Sequence, residues 1–257
     1  MTISVTTTFT GHVAEIRFAR PPYNYASPQL LGKIADALDV LDADPEIRCS
    51  VLSAEGKSFC AGADLAGDES ITGTGGMASI GQLYVQAERI FRRKKPMVAA
   101  VHGAAIGAGL GLALAADFRV AGPGARFSSN FTRLGFHPGF GITHTLPRVV
   151  GVQRAGWMML SSERVKPDAA LEWGLVDRVA PEGQVSDAAF TMAEEIAANA
   201  PLALVSVRAT WTDGLADAVV VALRHEHEQQ TLLKGTADYT EGVASVFERR
   251  EARFIGR

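Results

Sequence analysis

The chain has 257 residues, 47% of them apolar, and a formal net charge of −3. This is enough apolar material for one large core or a core with a small appendage, and it excludes a disordered chain. The slight acidity argues against nucleic acid as the main partner.

Taken in order, MTISVTTTFTGHVAEIRFARPP has no charged region followed by an apolar run, so no signal peptide is expected. Residues 12–19 alternate like a strand that ends at Pro21-Pro22. A helix follows, with Ser27 as N-cap, Pro28 at its first position, and Leu31, Ile34, Leu38 and Leu41 on one face. Residues 47–54 read as a strand. Residues 66–79, rich in Gly, Ser and Thr, read as a mobile surface loop. A second helix is expected over 81–95, with basic residues at its C-terminal end, where they suit the helix dipole.

The stretch 98–116 is long and apolar enough to raise a membrane span. It contains His102 and several glycines, so it reads as a buried strand, a turn and a buried helix, and no membrane partner is expected. Two short strands follow, then mostly helices after Gly151, the last long region being interrupted at Gly214. Strands alternating with helices indicate an α/β class. A boundary near Pro201 divides a core, 1–200, from a helical C-terminal region, 201–257. The two cysteines, Cys49 and Cys60, have neither zinc nor disulfide-framework spacing and fit a reducing cytoplasm.

Charge is unevenly spread. Between Glu88 and Glu163 the only acid is Asp117, against ten arginines and lysines. Two motifs in or beside this region can carry chemistry. In SFCAGADL (58–65) small residues follow a strand, and small residues let a ligand approach backbone N–H groups. An ordinary tight turn gives the same pattern. In HGAAIGAGLGLALAAD (102–117) a Gly-rich turn opens a helix, a setting for anion binding. The third glycine of a dinucleotide fingerprint falls on Leu112, and no Gly-Lys-Ser/Thr is present. No G-x-S-x-G elbow supports a serine-hydrolase triad. His225 and His227 lie two apart on a helix, which does not place them on one face for a metal, and a solvated face is expected.

Five segments carry a resemblance: RPPYNYAS (20–27), GKSFCAGADL (56–65), 95–121, 125–151 and YTEGVASVFERREARFIGR (239–257). In this order and spacing the chain resembles the enoyl-CoA hydratase/isomerase (crotonase) superfamily over essentially its whole length. The resemblance implies a crotonase-like spiral of ββα units with a helical C-terminal region for trimer assembly, trimers often pairing into hexamers. It implies an acyl-CoA substrate with no separate cofactor and no metal. Two backbone N–H groups would hold the thioester oxygen and stabilise an enolate, here those of Ala63 and Ala108. Asn24, Tyr25, Ala61, Gly62, Leu65, Gly107 and Leu134 would flank the substrate, and Asp64 would anchor the ligand loop.

Hydratases of this superfamily carry two glutamates. Their positions are Gly111 and Phe131 here, and the aspartate position of related isomerases is Gly139. The chain therefore resembles an atypical member in which ordinary hydration is doubtful, because a positioned acid or base contributes about 10²–10⁴-fold. His137 is the first candidate for a substitute proton carrier and His144 the second. Asp64, Cys60, Asp68 and Glu69 are the other titratable groups in these loops. Phe131 and Phe140 predict an aromatic acyl pocket for a bulky or ring-bearing group. Arg20, Arg249 and Arg250 are candidates to meet CoA phosphates. A non-catalytic acyl-CoA-binding protein is the alternative. A crotonase-fold hydrolase of a β-diketone is a third reading, disfavoured because Phe131 and Phe140 stand where such relatives use His and Asp.

Overall fold

A computed structural model of the chain describes residues 2–65 and 76–257. Strand β1 (Ser4–Thr10) pairs antiparallel with β2 (Val13–Ala19), after which α1 (Pro28–Ala43) lays one apolar face on the core. Three ββα units follow. The first is β3 (Cys49–Ala54), β4 (Ser58–Cys60) and α2 (Gly76–Phe91). The second is β5 (Met97–Val101), β6 (Ala104–Ile106) and α3 (Ala108–Ala115). The third is β7 (Phe118–Ala121), β8 (Arg126–Ser128), a 3-10 turn (Thr132–Leu134) and α4 (Ile142–Val150). In each unit the first strand joins a large sheet, ordered β1-β2-β3-β5-β7-β9, and the second joins a small sheet, ordered β4-β6-β8. This is the spiral of ββα units that the sequence led us to expect.

The remaining elements are α5 (Val152–Ser161), α6 (Pro167–Glu172), β9 (Arg178–Val179), α7 (Val185–Ala197), α8 (Pro201–Trp211), α9 (Leu215–Lys234) and α10 (Ala237–Glu248). The central strands β3, β5 and β7 of the large sheet are buried on both faces. Ile16, Leu52, Ala99 and Ala121 point into the main core; Val51, Val98, Ala100 and Val120 pack on α7. Ser27 caps α1 by accepting from Leu30 N at 3.2 Å. All eight residues of α3 are buried, so the apolar stretch 98–116 is β5, a turn, the short strand β6 and an internal helix. Among the described residues no helix is long and apolar enough to cross a membrane.

Several local expectations change. Strands β1, β6 and β9 were not expected. Helix α2 begins at Gly76, inside the expected loop, and stops at Phe91, so Arg92–Lys95 lie beyond it. The remainder of that loop, with Asp68 and Glu69, lies outside the described residues.

Several groups of the acid-poor middle third meet acids from elsewhere in the chain. Arg89 Nη2 donates to Asp36 at 2.7 Å and to Asp39 at 2.5 Å. The Asp42 carboxylate accepts from the backbone N–H of Lys94 and Lys95. Arg92 reaches Asp217 at 2.8 Å.

Candidate active site

The small sheet is parallel, with Cys60 beside Ala105 and Ile106 beside Ser128. The segments leaving β4, β6 and β8 therefore emerge at one edge, the carboxyl end where open α/β sheets present ligand sites. Glycines let the backbones close up. A Cβ at Gly109 would stand 1.9 Å from Cys60 O, a distance no side chain tolerates. Gly62, at φ +96°, brings the chain to Ile106 O.

This places Ala63 and Ala108 on one cavity. Ala63 bridges to Ala26 through the neighbouring carbonyl, Gly62 O, which accepts from Ala26 N at 2.8 Å. Ala108 is the first residue of α3, and the first N–H groups of a helix have no intrahelical partner. Among the described residues neither N–H is spent on a backbone acceptor. Two such donors, one at a helix N-terminus, suit an oxygen that gains negative charge.

The cavity has a volume of about 30 Å³. Its lining includes Ala63, Ala108, Tyr84, Phe131, Phe136, Gly139, Phe140 and Gln230. The aromatic character matches expectation, but the size does not. A benzene ring fits a cavity of about 150 Å³, so the rings occupy the space that a ring-bearing acyl group would need.

Each of the three expected acid positions has a specific occupant. A Cβ at Gly111 would meet three Phe140 atoms at 2.6 Å. Phe140 itself is fully buried at φ +64°, a conformation that costs a bulky residue about 1–3 kcal/mol. A Cβ at Gly139 would stand 2.0 Å from Tyr84 Oη, which donates to Gln230 Oε1 at 2.9 Å. Phe131 stands at the start of the 3-10 turn, its ring 3.5 Å from where a Gly107 side chain would begin.

Neither expected histidine is on the lining. His137 is half-buried; its Nδ1 is 2.8 Å from Pro138 O, and its ring packs edge-on against His225. His144 is in the first turn of α4, with Nε2 buried and unpartnered among the described residues. Burial first, and Arg148 second, lower its pKa. Cys60 is fully buried, and burial pushes its thiol up to about 11. His227, expected on a solvated face, is half-buried with Nε2 2.9 Å from Met77 O; His225 is exposed.

Other candidates hold the surrounding backbone. Asn24, at φ 55°, accepts from Arg20 N at 2.7 Å and donates to Glu55 O and Ser58 O, so its amide shapes the turn before α1. Arg20 pairs with buried Asp64 at 3.7 Å and donates to Tyr25 O at 2.9 Å. Burial, then Asp64, raise the Tyr25 pKa. Ala61 N donates to Tyr23 O. Leu65 packs at the edge of the core. Leu134 is buried beneath Gly242 of α10, away from the cavity lining. Arg250 is paired with Glu241 and Glu248, so two of the three basic candidates for CoA already have carboxylate partners.

Several residues of the site escaped the sequence reading, among them Tyr84, Phe136, Gln230 and Glu226. Glu226 is fully buried on α9. Its carboxylate accepts from Gly141 N at 2.7 Å, Thr143 N at 3.0 Å and Thr143 Oγ1 at 2.6 Å, capping α4 from another helix. The sequence signal is the absence of any capping side chain at Gly141, but nothing local points 85 residues downstream.

Burial lifts the Glu226 carboxyl above the ordinary range, more than these donors lower it. A raised folded-state pKa means that stability falls as pH climbs from the ordinary carboxylate value through the folded one. Glu226→Gln is expected to flatten that fall and to cost about 1–3 kcal/mol near neutrality, because its NH₂ would face an N–H. Urea unfolding across pH checks this, and an unchanged pH slope counts against it.

The family model described as enoyl-CoA hydratase/isomerase matches residues 8–257. The chain belongs to the enoyl-CoA hydratase/isomerase family. It is 30% identical to the 1,2-epoxyphenylacetyl-CoA isomerase of Escherichia coli K12, covering 91% of each chain. It is 31% identical to the crotonyl-CoA hydratase of Syntrophomonas wolfei, covering 91% of this chain and 90% of that one. The crystal structure of an enoyl-CoA hydratase from Mycobacterium avium subsp. paratuberculosis superposes with a TM-score of 0.83 at 26% identity, covering 98% of both chains. An acyl-CoA substrate is consistent with this family, and its fold agrees with the paired sheets and C-terminal helices described above.

Proposed function

We propose that this member of the family is an acyl-CoA thioester enzyme that works through an enolate, without a carboxylate that activates water. The observation that carries this reading is one cavity with two unspent backbone donors, Ala63 and Ala108, and no carboxylate or imidazole among its described lining residues. Donors aimed at the thioester oxygen stabilise the charge that develops when a proton leaves the adjacent carbon. Isomerisation uses such an enolate once a base outside the described lining has taken that proton and returned it; carbon–carbon cleavage leaves the bonding pair on the α-carbon, which solvent then protonates. Water addition also needs a group to activate the water, and the lining described here offers none.

Tyr84 is the titratable side chain on that lining; burial raises its pKa, so it is a hydrogen-bond donor rather than a base. CoA is part of the substrate and no separate cofactor is required. The trimer or hexamer implied by the resemblance would cover apolar surface such as Val152, Trp157 and Leu160 on α5. Two free, buried thiols, Cys49 and Cys60, suit the cytoplasm.

Calorimetric titration with acyl-CoA esters, then incubation in D₂O with mass spectrometry, tests the reading. Deuterium at the α-carbon is the expected result. Ala108→Pro removes one donor at a helix position that accepts proline, and exchange should fall about 10²–10³-fold with the fold retained. Exchange that disappears in His137→Ala would return the proton carrier to that histidine. Phe140 and Tyr84 filling two acid positions favour a second reading, acyl-CoA binding without catalysis. Tight binding with no exchange or product for any ester selects it.

A further inference from the structure

We propose that Phe140 sets the size of the acyl group, restricting this site to short acyl thioesters, acetyl to butyryl. The inference rests on the acyl-CoA reading above and names its substrate class.

Phe140 is a fixed wall. Its ring is 1% exposed, packs against Phe91 with centroids 6.5 Å apart, and lies over the bare Gly111 position. Its backbone sits at φ +64°, a conformation that persists only where the surroundings over-determine it. Those surroundings are visible on both sides. Gly139 is closed against Tyr84 Oη, so the chain before Phe140 has no room for a side chain. Gly141 after it is held by the Glu226 carboxylate through its N–H, and by Thr145 Oγ1, which donates to Gly141 O at 2.9 Å. Moving the Phe140 backbone would break buried hydrogen bonds that join Gly141 to α4 and α9. The adjoining wall is equally set, since Gln230 accepts from Tyr84 and donates to His137 O at 3.0 Å.

What these walls leave is about 30 Å³ beside Ala63 and Ala108. That is small beside the cavity of about 150 Å³ that holds a benzene ring. A few methylene-sized atoms can enter with slight adjustment of Phe131, the half-buried ring of the set. An octanoyl chain or a phenyl ring cannot enter while Phe140 stays in place.

Calorimetry with free CoA, acetyl-, butyryl-, octanoyl- and phenylacetyl-CoA tests this on the unchanged chain and on Phe140→Ala. Acetyl- and butyryl-CoA are expected to bind at least about 10-fold more tightly than the two large esters, the scale on which a pocket senses extra methylenes. Phe140→Ala should erase or reverse that ranking. Phe140→Leu, which keeps a packed side chain, should move it part of the way and serves if the alanine variant fails to fold. Phenylacetyl-CoA binding the unchanged chain as tightly as acetyl-CoA overturns the inference and leaves the acyl-CoA reading standing. So does an unaltered ranking in both variants. If every ester binds no better than free CoA, both fall together.

Discussion

A chain carrying Gly111→Glu, Phe131→Glu and Phe140→Ala together is expected to hydrate crotonyl-CoA about 10²–10⁴-fold faster than the unchanged chain, the usual contribution of a positioned acid or base. The two glutamates would occupy the positions where the resemblance places water-activating groups. The third change is what makes the first feasible. A Cβ at position 111 lies 2.6 Å from Phe140 Cβ, Cγ and Cδ1, so Gly111→Glu alone overpacks the core and should cost about 1–3 kcal/mol or more. The pair Gly111→Glu, Phe131→Glu with Phe140 kept should therefore melt lower and gain no activity. Loss of enoyl-thioester absorbance measures the rate. Rapid hydration by the unchanged chain would remove the premise, and a well-folded triple variant with no gain would show that position 111 does not face the substrate.

Asp117→Ala should destabilise the protein by about 3–5 kcal/mol, because it strands buried guanidinium groups without their carboxylate. Asp117 accepts from Arg93 Nη2 at 2.7 Å, Arg208 Nε at 3.0 Å and Met97 N at 2.9 Å. Arg93 also donates to Ala115 O at 2.6 Å, at the carbonyl end of α3, and Arg208 belongs to α8. One carboxylate thus ties the C-terminal helices, the start of β5 and the helix that presents Ala108. Burial pushes the Asp117 carboxyl up, but Arg93 and Arg208 together pull it down further, below the ordinary range. Its contribution is therefore complete above the ordinary carboxylate pKa and lost as pH falls through the lower, folded value. Urea unfolding should show that acid loss in the unchanged chain and a smaller one in Asp117→Asn. A cost below about 1 kcal/mol for Asp117→Ala would place this cluster with exposed pairs, which contribute little.

The local signals in the chain determined a good deal. Alternation and helical spacing marked β2, α1 and β3, and Ser27-Pro28 marked the first helix start, because caps and amphipathic faces act over a few residues. Glycines 62, 107 and 109 marked the two turns that carry Ala63 and Ala108, because backbones that touch admit no side chain. The order of motifs marked the family, and the resemblance pointed to the positions where an acid is expected.

The contents of the cavity were decided elsewhere. Phe131 and Phe140 suggested a roomy aromatic pocket, yet whether a ring lines a space or fills it depends on what faces it, and Gly111 faces Phe140. Glu226 sat unnoticed between two histidines because its partners, Gly141 and Thr143, lie far away in sequence. The Tyr84–Gln230 bond joins residues 146 apart. The basic middle third read as a field for CoA, whereas Asp36, Asp39, Asp42 and Asp217 meet several of its groups. Sequence spacing governs what neighbours along a helix or strand can do. Volume, burial and ion pairing depend on which elements the fold brings face to face, and only the tertiary structure decided those.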